Sequence, residues 1–85
     1  MARELKRRWA VVIYMDGGES GAIVDGWYTR KAVMARLHDY RADPEYAPYV
    51  DAMAIVMLEP DLWPYRPLRR VRQSEWEHGD REMLH

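Results

Sequence analysis

The chain has no cysteine and no phenylalanine. Without cysteine there is no disulfide staple, no thiolate zinc site and no cysteine nucleophile, and a reducing cytoplasm is the natural setting. Long apolar runs are missing too. Trp9 to Met15 and Ala52 to Leu58, the longest uncharged ones, are far too short to span a membrane, and no N-terminal segment has the apolar core of a signal peptide. A soluble, cytoplasmic protein with no membrane partner is expected. Serine is scarce: Ser20 and Ser74 are the only two, and neither sits in a nucleophile-elbow context such as G-x-S-x-G. A catalytic apparatus is hard to assemble from what remains, and the expectation is that the protein is not an enzyme.

What is present suffices for one small domain. Of 85 residues 48% are apolar, with four tryptophans and six tyrosines, too much for a disordered chain. A net charge of −1 hides segregation. Residues 1–8 carry four basic side chains against Glu4, and residues 66–72 carry four arginines and no acid. Residues 9–65 hold nine acids against four bases, and residues 73–85 four acids against Arg81. Both a basic and an acidic face are therefore available.

Periodicity then sets the elements. Trp9 to Met15, β-branched and aromatic with no charge, reads as a strand covered on both faces. Gly21 to Tyr28 reads as a second strand. A helix follows over Arg30 to Tyr40 with Thr29 as N-cap; Val33, Leu37 and Tyr40 form its apolar stripe, and Lys31, His38 and Asp39 lie opposite. Asp43 and Pro44 start a short turn that Pro48 should end. Tyr49 to Pro60 is the clearest strand, apolar on both faces and hence central. Three prolines make residues 60–67 an extended loop, and Leu68 to Arg72 reads as a charged edge strand. Ser74 and Glu77 have capping-box spacing, but Gly79 limits any helix to a turn or two. The expectation is an α+β fold in the order β-β-α-β-β: a small, mostly antiparallel sheet with one amphipathic helix packed on one face. The first strand can lie beside the third, and both a β-grasp-like and a ferredoxin-like partial sheet are compatible. Residues 1–73 form the compact domain and 74–85 a polar, acidic tail.

Four of the five glycines lie within "YMDGGESGAIVDGW", but they are not a phosphate loop. "DGGESG" leads into an apolar run rather than a helix, lacks the G-K-[ST] ending, and carries Glu19, which would repel phosphate. Asp-Gly between two β-like runs is a hairpin signal, because such turns need residues tolerant of positive φ. His78, Asp80, Glu82 and His85 lie close in sequence but match no zinc spacing, so no metal and no cofactor are expected. Asp51, flanked by apolar residues in a strand, is either an acid of raised pKa or a residue at the strand's solvent end.

The strongest functional signal is "LWPYRPLRRVR", Leu62 to Arg72. Trp63 and Tyr65 offer stacking faces, and Arg66, Arg69, Arg70 and Arg72 offer cationic contacts. Arg3, Lys6, Arg7 and Arg8 join them if the first strand starts beside the last. The acidic tail can instead fold back on these arginines, or they can simply decorate an edge. A second candidate patch is Trp27, Tyr28, Tyr46 and Tyr49 around the helix ends. Interfaces are enriched in Trp, Tyr, Met and Arg, so a protein partner is the first expectation, with a homodimer among the options. Nucleic acid, bound by the aromatic and arginine segment 62–72, is the alternative. The apolar first strand, the "DGGESG" turn, the "DGWYTRKAVMARL" passage and the Arg/Glu-rich C-terminal third resemble small orphan accessory proteins of bacteriophages that infect high-GC hosts. The resemblance implies a protein that acts in the host cytoplasm by binding host machinery, as an inhibitor of a defence system or of a host enzyme.

Overall fold

The uncharged run from Trp9 to Met15 forms the central strand, β1 (Trp9–Met15), of a five-stranded antiparallel sheet. The computed structural model describes residues 8–59, 62 and 68–80, with side chains for all of these except 73 and 77–80. β2 (Ser20–Tyr28) returns beside β1, and a helix, α1 (Arg30–Ala42), follows. After it come β3 (Met53–Leu58), β4 (Arg69–Arg72) and β5 (Trp76–Asp80). The spatial order is β4-β2-β1-β3-β5, so the two most apolar strands pair at the centre. This is an α+β fold.

Local chemistry accounts for most of the boundaries. Between the paired residues Met15 and Ser20 the chain turns through Asp16, Gly17 and Gly18, all at positive φ (52°, 68° and 97°), which aspartate tolerates and glycine adopts freely. The hairpin expected from "DGGESG" is present. Thr29 caps α1, its Oγ1 accepting from the Ala32 amide at 3.1 Å. Val33 and Leu37 are buried, with Met34 and Tyr40 packed beside them, while Lys31, His38 and Asp39 face solvent.

Three expectations need correction. The strand read from Tyr49 starts at Met53, because Pro44–Ala52 form a succession of 3-10 turns that runs past Pro48. Pro44 sits at the start, where its missing N–H costs nothing, and the Asp43 side chain accepts from the Glu45 amide at 2.9 Å. Asp51 therefore lies exposed in these turns and not in an apolar strand. The capping-box spacing of Ser74 and Glu77 starts no α-helix: residues 73–75 make one 3-10 turn. Residues 76–80, read as part of a polar tail, form β5 and close the open side of the apolar β3, with Leu58 opposite Trp76 and Ile55 opposite Asp80.

Both faces of the sheet are buried. On one, α1 covers a core of Trp9, Val11, Ile13, Val24, Met53 and Ile55. On the other lie Ala10, Val12, Ile23, Val56 and Leu58, with Trp27, Leu62 and Val71 around them and Tyr14 and Trp76 packed against the cluster. Among the described residues no helix covers this second face. The link between β4 and β5 explains how it is closed. Those strands lie on opposite edges, yet only residues 73–75 join them. An extended link from Arg72 to Trp76 reaches about 14 Å at most. Four strand spacings across a flat sheet come to about 19 Å. The sheet must therefore coil, and it brings two diagonal corners together over the second core. There the Trp76 ring meets Tyr14 edge-on, with centroids 5.5 Å apart.

Gly21 sits beneath this closure. A Cβ there would stand 3.2 Å from the Ile13 carbonyl oxygen and 3.6 Å from the Trp76 ring. Gly21→Val is expected to push Trp76 off Tyr14 and destabilise the fold by about 1–3 kcal/mol, seen as a lower urea midpoint and a shifted tryptophan emission. On the opposite face Leu37→Ala should cost about 2–4 kcal/mol and the exposed His38→Ala almost nothing.

Candidate binding surfaces

Two polar constellations stand out, one at the edge of the sheet and one under α1. The first was expected from the arginines of 66–72. In β4, Val71 is buried while Arg69, Arg70 and Arg72 are exposed, as an edge strand requires. Pairing with β2 sets their faces: Arg70 opposite Ala22 and Arg72 opposite Ser20 share one face, and Arg69 opposite Ile23 and Val71 opposite Gly21 share the other. The Arg70 guanidinium donates to Asp16 Oδ2 at 2.9 Å and to Ser20 Oγ at 3.3 Å, and Ser20 Oγ donates to the same carboxylate at 2.9 Å. This ties β4 to the hairpin turn, although an ion pair so exposed adds only about 0–1 kcal/mol. Arg69 and Arg72 form no ion pair with any described residue. Leu68, just before β4, is 62% exposed and has a left-handed backbone (φ 61°), unusual for a leucine.

Beside β4 an open groove of about 540 Å³ is lined by Arg70, Val71 and Arg72 of β4, by Asp16, Glu19 and Ser20 of the hairpin, and by Ser74 and Glu75. Glu75 Oε2 is buried there with no hydrogen-bond partner among the described residues. The groove thus holds three carboxylates and two guanidiniums.

Trp63, Tyr65 and Arg66, also expected in this patch, lie outside the described residues, as do Arg3, Lys6 and Arg7. Arg8 does not join the edge arginines: β1 lies between β2 and β3, away from β4, and the Arg8 side chain is buried with Nε donating to the Leu58 carbonyl at 2.8 Å. Nor do residues 76–80 fold back on β4. They occupy the opposite edge.

The second constellation was missed from sequence. Asp25 is buried at 8% exposure, and its Oδ2 accepts from Tyr28 Oη (2.9 Å), Tyr40 Oη (3.0 Å) and Arg36 Nε and Nη2 (3.1 and 2.9 Å). Simple alternation from Ile23 would point Asp25 toward the second core. A bulge in β2 at Val24 turns it onto the face of Val11, under α1. Arg36 lies 5.4 Å from the Tyr40 ring and 6.0 Å from the Tyr28 ring, and Tyr40 meets Tyr46 edge-on at 5.1 Å. Of the second sequence patch, Tyr28 and Tyr46 therefore share one neighbourhood around Tyr40, and Tyr49 is exposed beyond them on the 3-10 turns. Trp27 is removed from any contact surface. A second bulge turns it to the far side of the sheet, where it is 8% exposed among Ala10, Ile23 and Val56.

The network holds helix to sheet and sets the local titration. Burial first, then the hydrogen bond to Asp25, pushes the Tyr40 phenol up to about 12, and Tyr28 is raised for the same two reasons. The hydrogen bond to Asp25 also raises the pKa of Arg36, whose guanidinium is permanently charged in any case.

Comparison with family models, curated proteins and solved structures finds no match to this chain. Among the described residues no helix is long and apolar enough to cross a membrane, and no group of three or more histidines and carboxylates could hold a metal ion. The sequence cluster of His78, Asp80, Glu82 and His85 lies outside the described side chains.

Asp25→Ala would leave two hydroxyls and a guanidinium without their common acceptor, and is expected to cost about 2–4 kcal/mol by urea denaturation. A phenol whose folded pKa exceeds its unfolded value of 10.0 binds its proton more tightly in the folded state. Its contribution to stability is complete below pH 10 and is lost as pH rises through about 12. Unfolding free energy should therefore fall across that window, and Tyr40→Phe should flatten the fall.

Proposed function

We propose that the protein is a small non-enzymatic binding module that acts stoichiometrically through a protein–protein surface on the β4 side of its sheet. The observation that carries this reading is the pair of exposed guanidiniums, Arg69 and Arg72, without an acid among the described residues, on an edge strand next to the outward Leu68. Arginine is enriched at protein interfaces and among their hot spots. The resemblance to phage accessory proteins would make the partner a host defence component or host enzyme, met in the host cytoplasm.

Nucleic acid fits this edge less well. A phosphate chain drawn to Arg70 and Arg72 would enter a groove that is also lined by Asp16, Glu19 and Glu75. Those carboxylates oppose a polyanion. A protein partner can take the arginines from outside and leave the groove alone.

The test is affinity capture with the intact protein and with an Arg69→Glu/Arg72→Glu variant, each with and without nuclease. A stoichiometric protein partner that survives nuclease and is lost with the double variant is expected. Recovery of nothing but nucleic acid would overturn the reading. In the same system, affinity should fall only modestly with salt, because a protein partner releases far fewer condensed counterions than a nucleic acid does.

A further inference from the structure

We infer that the partner docks on β4 as an added sixth strand, an extended acidic segment in which glutamate or aspartate alternates with apolar residues. This rests on the proposed use of the β4 surface and names the chemistry that the surface would take.

The argument begins with the backbone. β4 pairs with β2 along one side, and among the described residues no strand pairs with the other. In an antiparallel ladder alternate residues point their N–H and C=O groups away from the neighbour already present, so β4 offers a short row of main-chain donors and acceptors. An extended peptide can take that row as a further ladder, with affinity from main-chain hydrogen bonds and specificity from the side chains on either face.

Those faces differ. On one, an added strand would lie beside Arg70 and Arg72; on the other, beside Val71 and Arg69. Cross-strand neighbours favour opposite charge on the first face and, on the second, an apolar contact at Val71 with an acid in reach of Arg69. With a period of two residues, the complementary strand therefore reads acid, apolar, acid. Leu68 adds an exposed apolar contact at the start of β4.

Charge also decides against a second copy of the chain as the occupant. Pairing β4 with its symmetry mate would set three arginines against three arginines. The chain's own residues 76–80 are held in β5 on the other edge. The acids of the groove belong to the hairpin turn and to the residues after β4, so Asp16 and Glu19 lie inboard of the edge that a partner would meet.

The inference is tested on the intact ¹⁵N-labelled protein with four probes. These are the peptide acetyl-SEVEVES-amide, its lysine counterpart acetyl-SKVKVKS-amide, the acidic peptide N-methylated at alternate residues in either of the two phases, and oligothymidylate. The acidic peptide should shift the amides of residues 69–72 and slow their exchange with solvent. The lysine peptide should not bind. One of the two N-methylated phases, the one that blocks the ladder, should lose about tenfold or more in affinity. If both N-methylated phases bind as well as the parent, the arginines attract acids without strand addition; this inference falls while the proposed function stands. If no peptide perturbs residues 69–72, the inference also falls, and the capture experiment separately decides the proposed function. If oligothymidylate binds there and displaces the acidic peptide, both fall. Arg69→Glu/Arg72→Glu, checked for folding by its amide spectrum, should lose the acidic peptide and gain the lysine one.

Discussion

A strand that is apolar on both faces cannot exist by itself, and β1 sets that constraint for the whole chain. Val11 and Val12 point in opposite directions and both are fully buried. Each must be roofed, and each flank of β1 needs a hydrogen-bonding partner. The hairpin supplies β2 on one flank and β3 fills the other, itself as apolar as β1. The amphipathic α1 roofs one face. No second helix is described for the other, so the sheet closes on itself there by coiling. The tryptophans follow from this: Trp9 packs under the helix, while Trp27 and Trp76 fill the space inside the curl. For a domain this small, large rings at the corners substitute for core volume.

Most of this frame was legible in the residues. The positive-φ turn was visible as Asp-Gly-Gly, the helix start as Thr29, the helix face as Val33 and Leu37, and the edge strand as alternating arginine and valine. What escaped was what depends on a count of one. The bulges in β2 each insert a single residue, and after each the side chains change face. Asp25 therefore stands opposite to where alternation from Ile23 places it, under the helix, and the second bulge returns Trp27 to the second core. No local composition announces a bulge, because its cause is the fit of the whole strand to its neighbour. β5 was hidden for a different reason. In Trp-Glu-His-Gly-Asp only Trp76 favours a strand, and the segment is held by the open side of β3, a tertiary demand that outweighs local preference.

The two polar constellations divide the labour between them. Around Asp25 the donors are turned inward, onto one carboxylate oxygen, and the result is rigidity: α1 is locked to β2 at a point where two tyrosine rings flank one guanidinium. Around β4 the polar groups are turned outward, and among the described residues only Arg70 is engaged internally, by the hairpin turn. A rigid body with an edge that no described strand pairs loses little conformational freedom when something is added to that edge, which is the condition under which a short strand with few contacts can still bind usefully.

The three-residue link between β4 and β5 has a further bearing on how the molecule breathes. Because the link is only three residues long and wound into a 3-10 turn, neither outer strand can move far without dragging the other corner of the sheet. The two edges, separated by three strands in the plane of the sheet, form a single cooperative unit across its concave side. Whatever steadies β4 therefore also steadies β5 and the flank of β3 that it shields, so events at one rim are communicated to the opposite rim through a covalent tether rather than through the core.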